Sequence, residues 1–218
     1  MHVRRMVDWN VDELIVIDIG DGNLTFEHQR NDFRNKPVKS IADFISLIGI
    51  ECHIPLTFGG RIRTLDDIHL RIRNGADKIT VNAALFKEPE MVRSAAQVFG
   101  SQAIVASIDY RGSGDDSRVF THHGSCDVGL DAVAAAQRAE ALDVGEILLN
   151  SIDRDGTAEG YDIETIERVA GKVGIPVIAC GGAGMNAHFQ RCYENTSASA
   201  VAAGNVFHFK ENAYSNAK

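Results

Sequence analysis

The chain has 218 residues, 44% of them hydrophobic and 24% charged, an ordinary profile for a folded protein with one sizeable core. Its formal net charge is −8 with no basic block, which argues against a nucleic-acid partner. Four scattered cysteines without a CxxC pair argue against a zinc site or a disulfide framework and fit a reducing cytoplasm. No signal peptide, membrane span, metal or other cofactor is expected.

In chain order, a dozen residues that read as the end of a helix precede Leu14-Ile15-Val16-Ile17-Asp18-Ile19. That continuous apolar run, closed by Gly20-Asp21-Gly22, is the pattern of a buried parallel strand. Residues 23–36 are polar and aperiodic, a loop. Ile41, Phe44, Ile45 and Ile48 then form a helical stripe within 38–50. Residues 54–60 read as a second strand with a glycine end, a helix begins at Leu65, and residues 78–82 form a third strand. The helix Pro89 to Phe99 leads into a strand over 103–109. Residues 111–117 make a turn, 119–121 contribute to a small hairpin, and 130–142 form an alanine-rich helix. Residues 145–150 and 175–180 are strands flanking a helix over 163–173, and 198–203 supply the last strand.

No linker or low-complexity tract interrupts this alternation, so a single domain over 1–218 is expected. Its fold class is α/β, most economically a (β/α)8 TIM-type barrel lacking the first strand and helix and the last helix. Internal repetition supports this. Ile54 to Gly60 parallels Ile175 to Gly182, Lys78 to Phe86 parallels Ser199 to Phe207, and Leu14 to Asp18 parallels Ile147 to Asp153. Seven barrel strands are counted where closure wants eight.

In parallel βα units ligands bind beyond the carboxyl ends of the strands. Gly59 and Gly60 with Asn82, and Gly181 and Gly182 with Gly204 and Asn205, are candidate phosphate cradles. Glycine there lets the backbone approach an anion, and the next helix offers free N–H groups. Strand-to-helix turns also need glycine for steric reasons, so each pair alone is weak, and their repetition points to a ligand with two phosphates. Asp109 ends an apolar strand, where a carboxylate serves either as a general acid or base or as a cap on the next loop. Of Asp153 and Asp155, one is expected to hold Arg154 or loop amides. Glu13, Lys78 and Glu146 lie at strand beginnings, either as solvated ends or as a charged ring on a barrel floor. The spacing of His122, His123, His188 and His208 suggests no metal.

Asp153-Arg154-Asp155-Gly156-Thr157, Gly181-Gly182-Ala183-Gly184, Gly75-Ala76-Asp77-Lys78 and Val206-Phe207-His208-Phe209 occur in one order. Together they resemble the cyclase subunit of imidazole glycerol phosphate synthase, the HisF family, from about residue 12 to 209. The resemblance implies a (β/α)8 barrel that takes ammonia from a glutaminase partner. It implies a bis-phosphorylated ribotide substrate, converted to imidazole glycerol phosphate and aminoimidazole carboxamide ribotide. Asp109 then matches the family's general acid. Gly60, Asn82, Asp155, Gly156, Gly181, Gly182, Gly204 and Asn205 fall on or beside phosphate-binding positions, and Glu13, Lys78 and Glu146 match the ammonia gate. The family's first-strand aspartate and gate arginine have no counterpart, and Arg61 replaces its usual third glycine. Such departures leave two other readings, an ammonia-channelling partner for glycosyl amidation of surface polysaccharide and a non-catalytic partner-binding remnant.

Overall fold

The computed structural model describes residues 2–8, 11–20, 38, 40–204 and 206, in two compact units that divide after Ile79. The loop expected over 23–36 lies outside the described residues, as does most of the 206–209 motif.

The first unit holds helix α1 (His2–Asp8), strand β1 (Leu14–Ile17), α2 (Ile41–Glu51), β2 (Leu56–Gly59), α3 (Leu65–Arg73) and the start of β3 (Lys78–Val81). β1 and β2 pair in parallel, from Leu14 opposite Leu56 to Ile17 opposite Gly59. The predicted stripe on α2 packs as its spacing requires. Ile45 and Ile48 are buried against Leu56, Phe58 and Ala76, with Ile41 and Phe44 alongside. The Phe44 and Phe58 rings meet edge to face, 6.3 Å apart, a geometry that suits the aromatic quadrupole. Helix starts are set by short polar side chains. Ser40 Oγ accepts from Asp43 N at 3.1 Å. Thr64 and Asp67 form a reciprocal capping box at α3.

The second unit holds α4 (Ala84–Lys87), α5 (Pro89–Phe99), β4 (Ile104–Arg111), β5 (Arg118–Thr121), β6 (Cys126–Asp127) and α6 (Ala132–Glu140). It continues with β7 (Glu146–Ser151), α7 (Ile163–Ala170), β8 (Val177–Cys180), α8 (Asn186–Asn195) and β9 (Ala200–Val201). β4, β7, β8 and β9 form consecutive parallel pairs, and β5 runs antiparallel to β4 with β6 as the other arm of its hairpin. Ile104, Val105, Ala106, Ser107 and Ile108 are all buried, the outcome expected when a strand is covered on both faces.

The boundaries differ from the sequence reading for local reasons. Proline has no N–H, so the ladder begins after Pro55 and after Pro176, whose carbonyls still accept from Leu14 N (3.0 Å) and Ile147 N (2.9 Å). Helix α6 begins at Ala132 because Asp131 is its N-cap, its Oδ1 accepting from Ala134 N at 2.7 Å. The last strand shrinks to Ala200–Val201. Helix α8 has no counterpart in the sequence reading; its buried apolar residues are only Phe189 and Cys192, too thin a stripe to stand out. Its Phe189 ring lies 6.2 Å from that of Tyr161, whose hydroxyl donates to the Ala202 carbonyl at 2.9 Å just beyond β9.

Candidate active site

Asp109 lies near the carboxyl end of β4, in register with Asn150 on β7, which is itself in register with Cys180 on β8. Registered residues of adjacent strands project to the same side, so this row of polar side chains shares one face. Both carboxylate oxygens are engaged. Asn150 Nδ2 donates to Oδ1 at 3.1 Å, and Asn82 Nδ2, just after β3, donates to Oδ2 at 3.1 Å. Asn82 Nδ2 also lies 3.1 Å from the Ser107 carbonyl.

Burial raises the Asp109 carboxyl above its ordinary value of 3.8, because a half-desolvated anion is disfavoured. The Asn150 hydrogen bond pulls it down, the negative Asp155 pushes it up, and His123 in the β5–β6 hairpin pulls it down. A net rise moves the group toward the range where a carboxyl can hold and release a proton near neutrality. Burial likewise pushes the Cys180 thiol to about 12, with Asp155 adding to the effect, so it stays a neutral thiol.

Gly59 ends β2 as a buried strand residue, whereas Gly60, Gly181 and Gly182 occupy turns that disfavour any side chain. In the first unit Gly60 takes φ +89, and a Cβ there would collide with the Asp18 carbonyl. Arg71, only 3% exposed, reaches the turn from α3. Its Nη2 donates to the Gly60 carbonyl at 2.9 Å and its Nη1 to the Asp67 carbonyl at 2.8 Å. Arg61 adopts φ +56, unusual for a side-chain-bearing residue, and its guanidinium lies 3.6 Å from Asp18 Oδ2. The cation brought by the glycine-to-arginine departure is thus paired with a carboxylate.

In the second unit Gly181 and Gly182 take φ +93 and +102. A Cβ on Gly181 would press on the Ser151 carbonyl at 2.5 Å, and one on Gly182 would collide with the Gly160 carbonyl. The turn is tied by Gly160 N donating to the Gly182 carbonyl at 2.8 Å, and Gly184 N donates to His188 Nδ1 at 3.1 Å. Asp155 and Gly156 lie on the exposed loop after β7, with Asp155 N bound to the Ser151 carbonyl at 3.0 Å. Asp153 is the residue that holds a loop amide: its Oδ2 accepts from Gly112 N at 3.0 Å. Gly204 is exposed with open space around it, and Asn205 lies outside the described residues.

At the amino-terminal strand ends, Lys78 Nζ donates to Glu13 Oε2 at 3.1 Å and Oε1 at 3.2 Å. Glu146 opens β7. Among the described residues no three His, Cys, Asp or Glu side chains cluster as metal ligands, and no helix is long and apolar enough to cross a membrane.

Asn150 escaped the sequence reading. Its signal was a polar residue interrupting the apolar run of β7, and only strand register shows that it stands beside Asp109. Arg71 escaped because α3 reads as an ordinary amphipathic helix.

Parallel βα units with a half-buried acid and glycine turns at the strand ends define an α/β protein of the TIM-barrel type. Residues 3–213 match the family described as "Histidine biosynthesis protein", and the chain belongs to that family. It is 42% identical over 201 residues to "Imidazole glycerol phosphate synthase subunit HisF" of Endomicrobium trichonymphae, covering 92% of this chain and 72% of the relative. The same-named protein of Hydrogenobaculum sp. (strain Y04AAS1) is 40% identical over 201 residues, 92% and 75% of the two chains. That of Clostridium botulinum (strain Okra / Type B1) is 44% identical over 174 residues, 79% and 69%.

Proposed function

We propose that this chain is a HisF-type cyclase subunit of imidazole glycerol phosphate synthase, a lyase of histidine biosynthesis working in the cytoplasm. It uses ammonia released by a glutaminase subunit to convert a bis-phosphorylated ribulosylformimino aminoimidazole carboxamide ribotide into imidazole glycerol phosphate and aminoimidazole carboxamide ribotide. The observation that carries this reading is Asp109, its carboxyl held between two asparagine amides and raised in proton affinity by burial. When ammonia adds to a carbonyl, the electron pair moves onto oxygen, and that oxygen must be protonated before it leaves as water. A carboxyl with elevated proton affinity is suited to give that proton.

Each glycine turn is assigned one phosphate group. Gly59 and Gly60 take one, and Asn82 is assigned to substrate binding. Gly181 and Gly182 take the other, helped by Asp155, Gly156, Gly204 and Asn205. Glu13, Lys78 and Glu146 are assigned to ammonia entry, a role that fits the Glu13–Lys78 ion pair at the amino-terminal strand ends. The test is turnover of the ribotide by the purified chain with ammonium salt and no partner, followed by appearance of imidazole glycerol phosphate. Absence of product with a folded protein overturns the cyclase reading.

A further inference from the structure

The assignments above give Asn150 no more than its bond to Asp109, yet its side chain spans two parts of the site. Its amide nitrogen donates to Asp109 Oδ1 at 3.1 Å. Its amide oxygen faces the other way, 3.3 Å from where a Cβ on Gly181 would sit. The amide turns its NH2 end to Asp109, the end that a carboxylate acceptor selects. Asn82 differs, because its nitrogen also lies on the Ser107 carbonyl and is pinned to the backbone. Asn150 therefore supplies the one of these two hydrogen bonds that comes from a side chain lying against the second glycine turn.

We propose that Asn150 is the positioning residue of Asp109, holding the acid in register with the Gly181–Gly182 turn and setting the pH at which it gives up its proton. This rests on the cyclase reading for its kinetic consequence, though not for its titration. Asp109 offers about four lone-pair sites, of which the two asparagines take two, leaving room for the proton it carries. The charged or titratable groups facing it are Asp155 on the loop after β7, His123 in the hairpin and Cys180 on β8. None of them replaces the hydrogen bond that Asn150 makes to the charged form.

The test compares wild type with Asn150→Leu, which keeps the branched shape and removes the donor, and Asn150→Asp, which sets a second carboxylate against the first. Asp109 is followed by carbon-13 NMR of labelled aspartate, with Asp109→Asn assigning the resonance. Ammonia-dependent kcat and KM are measured against pH. In Asn150→Leu the Asp109 titration and the matching limb of the kcat profile move to higher pH. The kcat at the optimum falls by about 10–100-fold, the order expected when a reacting group is misplaced by an ångström, while KM changes little. Asn150→Asp moves the titration further in the same direction, because two adjacent carboxyls resist losing both protons.

Unchanged Asp109 titration in a folded Asn150→Leu protein overturns the proposal, whatever the turnover. A shifted titration without turnover in wild type upholds it and defeats the cyclase reading instead. If Asn150→Leu does not fold, Asn150→Ser, too short to reach Asp109, carries the same comparison.

Discussion

Gly60 and the Gly181–Gly182 pair stand at equivalent points of two βα units, and both press on a backbone carbonyl so closely that no side chain fits. What secures each turn is different. The first is held by a charge: buried Arg71 donates to the Gly60 carbonyl, while Asp18 and Arg61 pair beside it. The second is held by backbone. Gly160 N donates to the Gly182 carbonyl, Arg154 reaches only the Gly160 carbonyl at 3.3 Å, and Gly184 N is committed to His188. Glycine alone therefore reports a steric need shared by both turns. The charges around it decide how each responds to an anion and to mutation, and only those charges tell the two apart.

Neither turn supplies proton chemistry, so the largest loss should come from outside both. Asp109→Asn is expected to cost about 10²–10⁴-fold in ammonia-dependent kcat, the usual worth of a positioned acid. Its stability effect has the opposite sign. Burial raises the native Asp109 carboxyl above its unfolded value, so ionising it costs the native state increasingly as pH climbs from 3.8 through the raised value. The variant should melt higher than wild type at neutral pH, and the gain should vanish below the ordinary carboxylate range. Melting temperature against pH checks this.

The steric identity of the turns is tested next. Gly182→Ala should lose about 2–3 kcal/mol from backbone strain and collision with the Gly160 carbonyl, and Gly60→Ala a similar amount at the Asp18 carbonyl. Gly204→Ala, with nothing within 4 Å, should stay within about 0.5 kcal/mol. Denaturant unfolding of the three variants ranks them, and a large loss at Gly204 would mean that open space is filled by residues outside those described.

Charge is the smaller and more discriminating effect. Arg71→Met should cost about 1–3 kcal/mol, because the Gly60 and Asp67 carbonyls lose their buried donor. Arg154→Met, which removes one 3.3 Å bond to a carbonyl, should cost less than about 1 kcal/mol. If the two substitutions prove equal by chemical denaturation, the contrast between a charge-held and a backbone-held turn fails.

Much of the fold was legible as a one-dimensional pattern. The Pro89 to Phe99 helix has its expected bounds, with Pro89 at the first helical position and Gly100 after the last, and the apolar runs over 103–109 and 145–150 form β4 and β7. These are local consequences of backbone chemistry and side-chain period, which each segment carries within itself. The run from Leu14, expected as a buried strand, is only partly buried in β1, with Ile17 and Ile19 exposed. Helix α8 was not legible, since two buried residues in ten do not make a period.

At the site, residue type and place in the chain singled out Asp109 and both glycine pairs. What neighbours them was settled elsewhere. Asn82 and Asn150 lie 27 and 41 residues from Asp109, and only the packing of neighbouring strands, in register for Asn150, makes them its two donors. Arg71 is an unremarkable residue of a polar helix until α3 packs and brings its guanidinium under Gly60. The chain alone thus fixed which groups are present and which backbone shapes they permit. Folding alone decided which of them touch and how dry they become, and proton affinity depends on both.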